Sequence, residues 1–164
     1  MIFLTVGTYP LPFDRIVTAV DTAVMEGLIE EEIFAQIGFC RYRPRNMEYV
    51  EMLQKRTFDS YFQKASYIIG HAGMGTISAA LDYRKPLLAM PRLKKHGEIV
   101  NDHQVAIARK FEELGHILVA YREEELPKKL KKLTSFVPRP RKNQAKAVAD
   151  RIAKFLDEVS GSKK

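Results

Sequence analysis

The residues in this chain best suited to chemistry are two glycines and a threonine just after a short apolar run. Tyr67-Ile-Ile is followed directly by Gly70-His-Ala-Gly-Met-Gly-Thr76. Gly73 and Gly75 let the backbone come close to a ligand and adopt positive φ. If a helix starts here, the amides from Met74 to Ile77 point out of its N-terminus, where a phosphate or diphosphate binds well. Thr76 is placed either to cap that helix or to donate its hydroxyl to a phosphate oxygen. A ligand-free strand-to-helix turn has the same composition. The spacing excludes two known phosphate loops: G-x-G-x-x-G fails because Ser78 stands three after Gly75, and no Gly-Lys-Ser/Thr occurs.

Two further stretches carry polar groups in suggestive order. Gly7-Thr8 follows the first apolar run, either as a second set of backbone donors for the same anion or as an ordinary turn. The segment Pro91-Arg-Leu-Lys-Lys-His-Gly-Glu-Ile-Val-Asn-Asp-His-Gln104 is long and polar for a connection. It places Glu98, Asn101, His103 and Gln104 within seven residues. Sugar hydroxyls and a ribose need hydrogen-bonding groups of that kind. Asn101 and Gln104 also nearly match a capping box, with Gln104 reaching back to its cap. His96 and His103 have no acidic partner at ligand spacing, so no metal site is expected.

These loops need a scaffold, and the periodicity supplies one. Short apolar runs at 2–6, 32–37, 67–70, 87–90 and 117–120 read as strands, with a weaker one at 47–52. Between them the spacing predicts a helix capped by Asp14, with Ile16, Val17, Val20 and Val24 on one face and Gly27 as its stop. Further helices are expected over 57–65, 77–83, 102–114, 123–133 and 143–159. Residues 41–45 form a basic loop around Pro44. The alternation argues for right-handed βαβ units: an α/β fold with a mainly parallel, Rossmann-like sheet of about six strands and helices on both faces. Ligands bind beyond the carboxyl ends of such strands, where the three loops fall. Residues 1–136 are read as the domain, 137–142 as a stiff proline-rich linker, and 143–164 as a C-terminal helix and basic tail of the same domain.

Composition narrows the class. The 164 residues are 46% hydrophobic and 29% charged, which excludes a disordered chain. A chain of this length buries about two-thirds of its unfolded surface and needs no disulfide or metal to fold. Cys40 is the only cysteine, which fits a reducing compartment. No apolar run reaches the roughly 18 residues of a membrane span, so a cytoplasmic protein with at most peripheral membrane contact is expected. The net charge of +7 lies wholly in residues 121–164, where 13 basic residues meet 6 acidic ones; residues 1–120 balance at 14 each. Solvated helix faces, an anionic membrane, an acidic partner or a nucleic acid all fit such a tail. The run Lys128-Lys129-Leu130-Lys131-Lys132 lacks interleaved aromatics and lies in no nucleic-acid motif, so no nucleic acid is expected.

In order, "MIFLTVGTYPLPFDRIV", "HAGMGT" and "EIVNDHQ" resemble the UDP-sugar-binding subunit of two-component glycosyltransferases, related to the glycosyltransferase family 28 C-terminal domain. That group includes the catalytic subunit that adds the second N-acetylglucosamine to a dolichol-linked saccharide. The wording "NDHQ" and "KPLLAMPR" looks most like its bacterial exopolysaccharide branch. The resemblance implies one half of a GT-B enzyme. Its diphosphate loop would be His71, Gly73, Met74, Gly75 and Thr76, with Gly7 and Thr8 beside it. His103 and Gln104 would face the donor sugar, with Asn101 and Glu98 nearby. The glutamate that grips the ribose in related enzymes falls here on Ala79, and Glu98 is the expected substitute.

The resemblance further implies an inverting, metal-independent transfer with no cofactor besides the UDP-sugar donor. The acceptor would be a lipid-diphosphate-linked saccharide. A small membrane-anchored subunit would bind it, supply the general base and hold this chain at the inner face of the membrane. His71 is the alternative base on this chain. A non-catalytic UDP-sugar-binding regulatory module is the competing reading, and a nucleic-acid-binding protein a third.

Overall fold

A computed structural model describes residues 1–140 and 151–155. Six strands form one parallel sheet: β1 Ile2–Thr5, β2 Ile33–Gln36, β3 Glu48–Val50, β4 Tyr67–His71, β5 Leu87–Met90 and β6 Leu118–Val119. Their order is β3-β2-β1-β4-β5-β6. Every pairing is parallel, with Leu4 beside Ala35 on one side and Ile69 on the other. The chain winds outward from β1 to β3, then returns to β4 on the opposite flank. The crevice where the winding reverses lies beyond the carboxyl ends of β1 and β4, as expected for a doubly wound sheet.

Period-two alternation divides the core. Ile2, Leu4 and Val6 face one layer, with α1 (Asp14–Met25) and α5 (Leu126–Leu133). Phe3 faces the other, with α2 (Lys55–Lys64), α3 (Met74–Asp82) and α4 (His103–Glu113). There Phe3 meets Phe58 edge-on at 5.4 Å between centroids, and Phe34 stacks on Tyr61 at 4.0 Å. Phe62 is fully buried as expected, while Phe58 and Tyr61 are half-buried against the same layer.

Several sequence expectations are corrected. Asp14 does not cap α1: the cap is Phe13, without a side-chain bond. The Asp14 carboxylate instead accepts the Arg41 and Tyr42 amides at 2.7 and 2.9 Å, which ties the basic loop to α1. Helix α2 begins two residues before the expected 57, and α3 begins at Met74 rather than 77. The 123–133 helix divides into a 3-10 turn, Glu123–Glu125, and α5; Pro127 stands in the first turn of α5, where its missing N–H leaves no helical bond unmade.

The 137–142 segment is described through Pro140. The Arg139 amide donates to the Gly115 carbonyl at 2.9 Å, and its own carbonyl accepts from the His116 ring at 2.7 Å. Residues 151–155 are helical, with Ile152 and Phe155 exposed. Val148, Val159 and the rest of the expected 143–159 helix lie outside the described residues.

Candidate functional site

The crevice at the winding reversal is a cleft of about 560 Å³. Gly7, Thr8, His71, Gly75 and Thr76 line it, so the structure brings the first two predicted loops to one place. Gln36, the α2 residues Lys55, Phe58 and Asp59, and Ser78, Ala79, Asp82 and Tyr83 complete its walls.

Helix α3 aims its N-terminus at this cleft. The first intrahelical amide bond runs from Ile77 to the Gly73 carbonyl at 3.0 Å, which removes Ile77 from the expected donors. The amides of Met74, Gly75 and Thr76 precede it, and the cap, Gly73, has no side chain with which to bond them. Three donors thus remain for an anion. A Cβ built on Gly75 meets nothing within 4 Å. The space in front of it is open to a ligand.

Gly7 and Gly73 serve a different end. A Cβ on Gly7 would stand 2.5 Å from His71 Cε1, and one on Gly73 would stand 2.4 Å from His71 Nε2. The imidazole is therefore clasped between two glycines, and Gly7 also holds a φ of +75° that favours glycine. Thr76 Oγ1 lies 3.3 Å from His71 Nδ1. The buried Thr76 hydroxyl neither caps α3 nor points freely outward; it orients the ring. Burial and the nearby Arg92 guanidinium push the His71 pKa down to about 4, so the ring is neutral at pH 7. The Gly7 amide donates to Thr5 Oγ1 at 3.2 Å, which leaves Thr8 to supply a backbone donor from this turn.

Two residues at this edge carry more than their sequence context announced. Gln36, buried at the end of β2, donates to the Gly7 carbonyl and accepts the Leu53 amide, both at 3.3 Å. It ties the loop after β1 to the one after β3. The signal was a lone amide ending an apolar run. Arg92 is fully buried. Its Nη1 donates to the Leu11, Pro12 and Glu98 carbonyls at 2.9, 3.2 and 3.0 Å, and its Nη2 to the Val6 carbonyl at 2.9 Å. The Phe13 ring centroid lies 4.8 Å from its guanidinium. Carbonyl dipoles and a π face, rather than a carboxylate, compensate this charge. Desolvation lowers its pKa.

The third predicted loop lies elsewhere. Glu98 does not line the cleft. Its carboxylate takes Arg15 Nε at 2.9 Å, Arg15 Nη2 at 3.0 Å and the Leu93 amide at 2.8 Å. It sits in the wall of a separate cavity of about 630 Å³ beside α1. The capping box does not form either. Gln104 Oε1 accepts the Arg92 amide at 3.2 Å, while Asn101 Oδ1 accepts the His103 amide at 3.2 Å and pairs with its ring. Asn101 and His103 are exposed at the carboxyl edge of β5. Among the described residues, no three His, Cys, Asp or Glu side chains converge to hold a metal ion, and no helix is long and apolar enough to cross a membrane.

Known proteins agree with this architecture. A curated relative, the UDP-N-acetylglucosamine transferase subunit ALG13 of Eremothecium gossypii, is 40% identical over 53 residues, 32% of this chain and 24% of that protein. The glycotransferase of kitacinnamycin aligns with a TM-score of 0.61 at 20% identity, over 82% of this chain and 34% of its own. The solution structure of ALG13 aligns with a TM-score of 0.56 at 18% identity, over 85% and 87%. MurG of Acinetobacter baumannii gives 0.55 at 20%, over 81% and 40%. This chain thus spans about a quarter of its curated relative and about a third of the kitacinnamycin enzyme. The structural likenesses establish the fold: six parallel strands with helices on both faces, as in the carboxyl half of GT-B enzymes. The sequence profile of the glycosyltransferase family 28 C-terminal domain matches residues 1–159, and the chain belongs to that family.

Proposed function

We propose that this chain is the donor-binding subunit of a glycosyltransferase and that the cleft between α2 and α3 holds a UDP-sugar. The observation that carries this reading is the N-terminus of α3: three amides without helical partners, facing open space at Gly75. A diphosphate there gains charge-assisted hydrogen bonds and the favourable end of the helix dipole. The same donors stabilise UDP as it leaves, which is an electrostatic contribution to the transfer. The nucleoside then extends between Phe58 and Tyr83, both in the cleft wall.

In this reading an acceptor hydroxyl attacks the anomeric carbon directly and inverts it, with no metal. The acceptor is a lipid-diphosphate-linked saccharide, in exopolysaccharide or related glycan synthesis. A second, membrane-anchored polypeptide binds it and supplies the general base. The ALG13 likeness supports a subunit role, since ALG13 is named as a transferase subunit. The neutral, clasped His71 suits donor positioning better than proton abstraction: at a pKa of about 4 it is a weak base. The C-terminal helix docks on the partner, which brings this chain to the inner face of the membrane.

Gly75→Val tests the donor site. Its Cβ meets no protein atom and its φ is negative, so the variant is expected to fold. Calorimetry is expected to show roughly a 100-fold loss of UDP affinity as two charge-assisted hydrogen bonds are blocked. Unchanged affinity would refute the site. Transfer that appears only when the partner subunit and a lipid-linked acceptor are added distinguishes an enzyme subunit from a regulatory module. Deleting residues 143–164 is expected to leave UDP binding and end recruitment by the co-expressed partner.

A further inference from the structure

The larger cavity, beside α1, has no part in the donor site. It lies in the layer of α1 and α5, across the sheet from α2 and α3, which wall the donor cleft. Its shape is a groove. Arg15, Ala19, Thr22 and Glu26 follow one another at helical spacing down α1, and Glu123, Glu124, Leu126 and Pro127 form the opposite wall. From Arg15 to Glu26 the groove runs about 17 Å. Its floor residues are small and its rim is acidic. Among the described residues neither Glu26 nor Glu124 has an ion-pair partner.

Arg15 makes the two ends of the groove unlike. Its side chain is only 8% exposed. Its Nε and Nη2 are taken by Glu98 and the Pro91 carbonyl. Its Nη1 has no hydrogen-bond partner among the described residues. The Glu123 carboxylate stands 3.6 Å from it, beyond bonding distance, and is itself 41% exposed. One end of the groove therefore holds a buried, unused donor beside carboxylates that lack cations.

We propose that this groove docks the C-terminal turns of a basic amphipathic helix from a second polypeptide. A helix ends in carbonyls without intrahelical partners, and cations are favoured in its last turn. One such carbonyl accepts from Arg15 Nη1, and Lys or Arg side chains beside it meet Glu123 and Glu124. The small side chains of Ala19, Thr22 and Ala23 let the helix lie close against α1, which is helix-in-groove recognition. With its C-terminus at Arg15, the docked helix runs antiparallel to α1. A small anion would also satisfy Arg15, but Glu98, Glu123 and Glu124 would repel it. The inference does not rest on the cleft across the sheet binding UDP.

Fluorescence anisotropy of a synthetic peptide with the full chain tests it. The probe is a labelled helix of about 18 residues, alanine and leucine on one face and lysine on the other. The chain is expected to bind it, to release it at high salt, and to bind a version with glutamate for lysine at least about tenfold more weakly. Glu123→Gln with Glu124→Gln should weaken binding about tenfold, and Ala19→Phe, which fills the groove, by a similar factor. Arg15→Lys keeps a cation for Glu98 but lacks Nη1, and should weaken binding about fivefold. Glu30→Gln with Glu32→Gln, an acidic pair outside the groove, should leave it unchanged. Urea midpoints report whether each variant is folded. Peptide binding by a chain that fails to bind UDP would sink the donor reading and leave this one standing. Four results overturn the inference: no binding of the lysine peptide, equal binding of the lysine and glutamate peptides, equal losses in the Glu30 and Glu123 double variants, or binding that appears only after residues 143–164 are deleted or a dimer of the chain is dissociated, which would give the groove to the chain's own segments.

Discussion

The loops after β4 and after β5 both offer hydrogen-bonding groups beyond the carboxyl ends of their strands, and they differ in what those groups already do. After β5 the polar side chains are occupied within the chain. Glu98 holds Arg15 and the Leu93 amide, Gln104 holds the Arg92 amide, and Arg92 gathers four carbonyls. After β4 the side chains are occupied too, since Thr76 and two glycines confine His71. The backbone there is not: the α3 amides face an open cleft. A cluster of hydrogen-bonding residues thus marks a binding site only when donors or acceptors remain after the chain's own needs are met.

Breaking the occupied loop should cost stability and leave the open one working. The largest effect is expected at Arg92. Arg92→Leu leaves the Val6, Leu11, Pro12 and Glu98 carbonyls without their donor, and urea denaturation should register a loss of roughly 4 kcal/mol. A loss below about 1 kcal/mol would mean that water or relaxed neighbours replace the guanidinium. Glu98→Ala comes next. It strips the carboxylate from Arg15, whose side chain is only 8% exposed, and about 3 kcal/mol of stability should go with it. UDP affinity should hold below the denaturation midpoint. If affinity falls while stability holds, Glu98 belongs to the ligand after all and the contrast between the two loops collapses.

How much of this was legible beforehand follows from the kind of signal each feature leaves. The mainly parallel sheet of about six strands and the loops that line the cleft follow from short apolar runs and the handedness of βαβ units, whereas the strand order comes only from the structure. Phe3 and Leu4 announce opposite layers by alternation alone. The sequence puts the start of α3 at 77 rather than Met74 because Gly75 is a poor helix former, and only the tertiary setting carries the helix through it. Arg92 leaves no signal because a lone arginine after a strand reads as surface; nothing local says that three carbonyls of the loop after β1 converge on it beside that of Glu98. Glu98 reads from the sequence as a ribose contact for the converse reason. Its partner Arg15 stands 83 residues away, beyond any spacing rule.

A smaller effect, dependent on pH, sharpens the view of the open loop. His71 titrates near 4 in the folded chain against an ordinary 6.5. As pH falls below 6.5 the unfolded chain takes up a proton that the folded chain refuses until about 4. The unfolded state therefore binds more protons across that window, and stability must decline as pH falls through it. Above 6.5 the contribution is fully present. His71→Asn should flatten that part of the curve of urea midpoint against pH. An unchanged slope would show that the imidazole is freely solvated rather than clasped between Gly7 and Gly73.

The smallest expected effect falls on Gln104, where the two loops come nearest to sharing a role. The resemblance to UDP-sugar-binding subunits puts this side chain on the donor sugar, whereas the structure puts its carbonyl oxygen on the Arg92 amide at 3.2 Å. The two are compatible, because that bond uses the oxygen and leaves the amide NH₂ as a potential donor. Gln104→Ala removes a buried acceptor and should lower stability by about 1 kcal/mol. If the NH₂ group reads a sugar hydroxyl, the same variant weakens UDP-sugar binding several-fold and leaves UDP itself unaffected. Calorimetry with both ligands separates the cases. Equal affinities for the variant and the wild type would assign Gln104 to the scaffold, and the division between an occupied loop and an open one would then be complete. A selective loss with the sugar nucleotide would show that one occupied side chain does both jobs, its oxygen fixing the loop and its nitrogen reading the ligand.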